Sequence, residues 1–210
     1  MQANVFCITK DISRDEWLEK RRHGIGGSDA AIIMGVSPFS SLMDLWLDKT
    51  GQFEANEDDA SEAMYWGNVL EDVVAREFTE RTGKRVRRRN AILQHPDYPY
   101  MFANVDRLVL GEKAGLEVKT TNAFYQDEGQ CPPLYYSQVQ HYMAVTGYKK
   151  WYVAVLAGGQ RFYIYTVHRS EDYINELIAA EAEFWQMVQE ERPPAFDGSA
   201  ASTRLLNQLY

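Results

Sequence analysis

The chain has 210 residues, 45% hydrophobic and 13% aromatic, enough to bury a sizeable core in one domain spanning residues 1–210. No apolar run approaches the roughly 18 residues of a membrane span, and the start, MQANVFCITKDISRDE, lacks the basic-then-apolar pattern of a secretory signal. The net charge of −8 taken alone argues against a nucleic-acid partner, and Cys7 and Cys131 are too few for a disulfide framework, so they read as reduced thiols of a cytoplasmic protein. The charge is uneven, however. Residues 52–63, QFEANEDDASEA, read as an acidic solvated loop, whereas EKRRHG (19–24) and KRVRRR (84–89) are basic clusters.

A first helix is announced by Ser13 and Glu16, spaced as a capping box, and stops near Gly24. GIGGSDAAIIMG follows as a glycine-rich turn, with Ser28 as N-cap of a short apolar helix ended by Gly35. SSLMDLWLDKTG is another helix, running to Gly51. After the acidic loop, MYWGNVLEDVVAREFTERTG reads as a helix with Leu70, Val73, Val74 and Phe78 on its buried face. KRVRRRNAIL, YMFANVDRLVL and GLEVKTT are three strands in succession. LYYSQVQHYMAVTG is a helix, WYVAVLA and RFYIYTVHR pair around GGQ, and a last helix runs from about Glu171 to Gln189. The tail, residues 192–210, is expected to pack poorly. The sum is an α/β protein with a central mixed sheet of about five strands flanked by helices.

Residues 101–121, MFANVDRLVLGEKAGLEVKTT, carry charge where strands should be apolar. With GEKA as the turn, Leu110 pairs with Gly115, Leu108 faces Glu117 and Asp106 faces Lys119. Alternation then puts Asp106, Glu117 and Lys119 on one face and Leu116 and Val118 on the other. Two carboxylates on one patch repel unless a cation neutralises them. A divalent ion with hard oxygen ligands, Mg²⁺ or Mn²⁺, resolves the conflict; an ordinary Asp–Lys cross-strand pair beside a solvent-exposed Glu is the alternative. Glu71, three and seven residues before Val74 and Phe78, sits at the edge of the buried helix stripe, with Asp72 on the outer side. It could join the same site or reach a neighbouring Arg or Lys. Gln138 belongs to the stripe Tyr135–Gln138–Val139–Tyr142 and needs hydrogen-bond partners if buried.

Asp106 followed by Glu117-Val118-Lys119 resembles the D…ExK core of PD-(D/E)xK nucleases. WLEKRRHGIGGSDA, WGNVLED and SQVQHYMAVTG resemble, in order, the opening, W-G-x-x-x-E and Q-x-Q-x-Y motifs of the phage-lambda-exonuclease or YqaJ-type viral recombinase family, over about Trp17 to Gly147. The resemblance implies a restriction-endonuclease-like fold and 5′→3′ digestion of one strand of linear duplex DNA, giving 5′-mononucleotides and a 3′ overhang for single-strand annealing. It implies two Mg²⁺ ions, replaceable by Mn²⁺, held by Glu71, Asp106, Glu117 and the Val118 carbonyl. Lys119 would position or deprotonate the attacking water, and Gln138 would support the lysine or the nucleotide. Arg22 and Ser28 resemble the residues that receive the terminal 5′-phosphate, a role suited to a guanidinium and to donors at a helix start. A homotrimeric ring and a single-strand annealing partner are also implied; Arg85, Arg87 and Arg88 are candidates to line the DNA passage. Arg107 stands where this fold often has glycine, and Val105 replaces the proline of the motif's name; neither departure removes a ligand. A metal-dependent endonuclease and a non-catalytic DNA-end-binding scaffold are the alternatives.

Overall fold

Two β-sheets share the chain, and it crosses from one to the other at Asp106. The computed structural model describes residues 3–52, 57–123, 129–198 and 200–209. In chain order the elements are β1 (Asn4–Ile8), α1 (Arg14–Arg22), α2 (Gly27–Ile33), α3 (Leu42–Lys49), α4 (Glu57–Thr82), β2 (Val86–Arg88), β3 (Ala91–Gln94) and β4 (Phe102–Asn104). Then follow β5 (Arg107–Val109), β6 (Ala114–Thr121), α5 (Pro133–Thr146), β7 (Lys150–Ala157), β8 (Arg161–His168), α6 (Glu171–Gln189) and α7 (Ala200–Leu209). A five-stranded mixed sheet has the order β2-β5-β6-β7-β8, parallel only between β6 and β7, and a three-stranded sheet has the order β1-β3-β4. Among the described residues, no helix is long and apolar enough to cross a membrane.

Helix starts follow their caps. Ser13 and Glu16 close a capping box at α1, as Ser41 and Asp44 do at α3. Ser28 is not the N-cap of α2. That position belongs to Gly26, whose N–H donates to the Asp29 carboxylate at 2.8 Å, and Ser28 lies inside the first turn. The acidic run was expected to be a loop to residue 63, but α4 begins at Glu57; residues 53–56 lie outside the described residues.

α4 packs on the five-stranded sheet through Val74, Ala75 and Phe78, against Leu116 and Val118 of β6 and Tyr152 and Ala154 of β7. Leu70 is half-buried, and Val73, expected in this face, is exposed. Val73 sits about 100° around the helix from Val74, outside the narrow stripe that meets the sheet. On the sheet's other side α5 is enclosed almost all round, from Tyr135 to Thr146. Its polar side chains are satisfied inside. Gln140 donates to the His168 carbonyl and accepts from the Ser170 N–H, and His141 joins Glu181 at 2.7 Å and the Phe102 carbonyl at 2.7 Å. Burial opposes the charged imidazole, but the Glu181 carboxylate outweighs it and moves His141 up from its ordinary value.

The runs 84–93 and 100–110 each supply two strands, not one, because each changes sheets midway. The tail was expected to pack poorly. Instead α7 buries Ala201 and Leu205, the latter in an apolar group with Ile25, Leu45, Trp46 and Phe184.

Candidate active site

The hairpin pairing lies two residues from the expected one: Leu108 is opposite Gly115, and Arg107 is opposite Leu116. The turn is drawn toward β2, where the Leu110 N–H donates to the Arg85 carbonyl, and Glu112 is clamped by Lys84 at 3.2 Å and Lys150 at 2.7 Å. A shift of two keeps every side chain on its face. Leu116 and Val118 meet α4, and Glu117 meets α5.

Glu117 is 2% exposed. Its Oε1 accepts from Gln138 Nε2 at 2.6 Å and pairs with Lys119 Nζ at 2.8 Å. Its Oε2 is buried without a hydrogen-bond partner among the described residues. Gln138 therefore supports the acid rather than the lysine, steadied by a second bond to the Tyr142 hydroxyl at 2.9 Å. Asp106 leaves the strand just before β5, and its Oδ2 accepts from the Val118 N–H at 2.8 Å. Burial pushes the Asp106 carboxyl well above its usual range, and repulsion from Glu117 adds to this against the pull of Lys119. Glu117 is pushed up by the same loss of water. Burial alone would discharge Lys119, but Glu117 and Asp106 outweigh it and hold the ammonium charged.

The two acids and one ammonium leave a negative excess in a desolvated place, together with a bare carboxylate oxygen. A divalent cation with hard oxygen ligands fits this donor set. Among the described residues no group of three Asp, Glu, His or Cys side chains is gathered tightly enough to hold an ion on its own. The groups at hand are Asp106, Glu117 and the main chain at Val118, with Glu71 close enough to add repulsion to both acids.

Glu71 is itself engaged. Arg107, 4% exposed, donates from Nη1 to Glu71 Oε1 and to the Asp106 carbonyl, and from Nη2 to Asp72 Oδ1 at 2.6 Å. Arg88 pairs with Asp72 at 2.8 Å and approaches Glu71 at 3.9 Å. Arg88 thus pairs with the acids, whereas Arg87 of the edge strand β2 and Arg85 just before it are exposed on its other face. A polar cleft of about 190 Å³ opens here, bordered by Trp17, Glu71, Arg88, Arg89, Asn104 and Asp106.

The basic end of α1 differs from expectation by one residue. Arg21, not Arg22, reaches Ser28, donating to its hydroxyl at 3.2 Å, and it stacks over Trp17. Arg22 turns to Glu19 at 3.6 Å and Asp48 at 3.7 Å. Below Arg21, the buried pair Lys49–Asp29 at 2.7 Å anchors the start of α2. Arg21 stands near enough to Lys119 to repel it, so the basic corner and the acids border each other.

Residues 16–149 match the model of the YqaJ-like viral recombinase domain. The chain is 48% identical over its whole length to the uncharacterized protein YqaJ of Bacillus subtilis (strain 168), of which it spans 67%. Its fold is similar to that of the alkaline exonuclease LHK-Exo of Laribacter hongkongensis: TM-score 0.67, 18% identity, 93% of this chain and 100% of that one. A second structure of LHK-Exo is a complex with dAMP. The phage-related exonuclease of Haemophilus somnus 129PT aligns with TM-score 0.55 and 15% identity over 89% of this chain and 96% of that one. The mixed sheet and its flanking helices are those of the PD-(D/E)xK fold, and the chain belongs to the YqaJ-like viral recombinase domain family.

Proposed function

We propose that the protein is a Mg²⁺-dependent exodeoxyribonuclease that digests one strand of linear duplex DNA from its 5′ end to 5′-mononucleotides. The observation that carries this reading is the buried pair Asp106 and Glu117, driven toward protonation beside a charged lysine, with Glu117 Oε2 left bare. Acids shifted by burial beside a specific charge partner cluster at functional sites. Membership in a recombinase family, fold neighbours named as exonucleases and the dAMP complex of one of them support the substrate class.

Asp106, Glu117 and the Val118 carbonyl would hold the ions, with Glu71 as the helix contribution. When bound, Mg²⁺ would supply an activated water and charge stabilisation at the leaving 3′-oxygen. Gln138 fixes the Glu117 carboxylate by one oxygen, and Lys119 presents an ammonium to the phosphate on which charge accumulates. Arg21 and Ser28 would receive the terminal 5′-phosphate, which orients the strand so that the adjoining phosphodiester lies against the acids. The 3′ overhang, a ring-shaped trimer and a single-strand annealing partner complete the reading by resemblance.

Lys119→Ala and Asp106→Asn should each lower Mg²⁺-dependent release of acid-soluble nucleotide by at least about 10³-fold, with circular dichroism unchanged. Release within a few fold of the wild type by either variant would remove its assigned role.

A further inference from the structure

Arg107 is one of the two departures from the nuclease pattern, and it makes contacts that strand pairing does not demand. Its cross-strand partner is Leu116, yet its guanidinium is almost fully desolvated and joins three acceptors at once. Nη1 serves Glu71 Oε1 and, at 2.8 Å, the main-chain carbonyl of Asp106; Nη2 serves Asp72 Oδ1. Glu71 and Asp72 belong to α4 and the carbonyl to the hairpin, so one side chain ties together the two elements that carry the acids.

We propose that Arg107 is a positioning residue for the cation site: it fixes Glu71 of α4 relative to Asp106 of the hairpin, so that the helix acid is in place before an ion arrives. The inference rests on the metal-dependent reading above. Arg107 holds Glu71 through Oε1, the same oxygen that Arg88 approaches. Outer partners of this kind orient a carboxylate and commonly change metal affinity by about 10- to 100-fold when lost. A lysine cannot replace the planar fork, because a single ammonium does not span two carboxylates and a carbonyl in one plane. Asp72 gains a purpose in the same arrangement. It is largely exposed, and by anchoring Nη2 it sets the plane in which Nη1 meets Glu71.

The test is calorimetric titration of the DNA-free protein with Mn²⁺, for the wild type, R107K, D72N and each of these combined with E71Q. The account expects about 10-fold weaker Mn²⁺ binding in R107K and a smaller loss, about 3-fold, in D72N, with neither adding to the effect of E71Q. D72N lies at the surface and reports on the fork if R107K does not fold; unfolding temperatures in EDTA separate the two cases. R107K or D72N binding Mn²⁺ as tightly as the wild type, or more tightly, overturns the proposal. So does an equal loss in the E71Q background, because Arg107 would then act elsewhere. If the wild type itself takes up no Mn²⁺, the metal-dependent reading fails and this inference fails with it; if only the coupling is missing, the metal-dependent reading stands.

Discussion

Lys20, Arg21 and Arg22 close α1, and successive side chains on a helix point about 100° apart, so one of them faces α2 and its neighbours do not. Arg21 takes that direction, with Ser28 at 3.2 Å and Asp29 at 3.8 Å, while Arg22 turns away to Glu19 and Asp48. Arg21→Gln should therefore raise the KM for 5′-phosphorylated ends by about 10-fold, as expected for one charge-assisted bond, and Arg22→Gln should leave it within about 2-fold. Equal effects of the two would place the phosphate elsewhere. Asp106 allows a test without substrate. Its carboxyl is raised by burial first and by Glu117 second, so the folded protein binds more protons than the unfolded one. The resulting cost is absent below the ordinary carboxylate pKa, grows as the pH rises through it and is complete above the folded value. In EDTA, Asp106→Asn should raise stability at about pH 8 and gain nothing at about pH 3.5. A variant less stable than the wild type at the higher pH contradicts this. Asp106, Glu117, Lys119 and Gln138 were legible in the sequence because alternation and helical stripes put them on one side. Arg107 and Asp72 were not, since an ion pair across 35 residues leaves no periodic trace.

Among the elements, α2 and α5 must come close, and Gly27 makes this possible. A methyl group there would overlap the Tyr142 ring and crowd Gln138, the two side chains that steady Glu117. Gly27→Ala should cost about 1–3 kcal/mol in urea unfolding and should slow nucleotide release as Gln138 is displaced. At Gly67, within α4, the added carbon meets only Thr120 Oγ1 at 3.8 Å, so Gly67→Ala should stabilise by about 0.5–1 kcal/mol. Stabilities moving in the same direction would refute this packing argument. Element boundaries legible in the sequence include those with chemical punctuation: the capping box of α1, and Gly51 and Gly147, in the left-handed region after α3 and α5. The start of α4 was not legible, because its acidic residues are acceptable both in a solvated loop and in a helix.

At the scale of the whole molecule, a net charge of −8 does not exclude a DNA substrate, because binding follows local potential rather than net charge. Arg87 of the edge strand β2 and Arg85 just before it are exposed, and neither borders the cleft lined by Glu71, Arg88, Arg89 and Asp106. Arg85→Glu with Arg87→Glu should weaken duplex binding and lower the slope of log affinity against log salt by about 2. An unchanged slope would assign these arginines only to guarding the sheet edge. The mixed five-stranded sheet was legible from strand composition and turns, whereas the second sheet was not. Residues 84–93 and 100–110 look continuous, and only long-range pairing shows that each divides, the second at Asp106 itself. The most direct test of the central claim is a time course on linear duplex labelled at its 5′ ends, with Mg²⁺ or EDTA, beside a closed circle of the same sequence. The account predicts label leaving as mononucleotide from the first time points, only from the linear duplex and only with Mg²⁺. Cutting of the circle, release in EDTA, or label retained while the duplex shortens would contradict it.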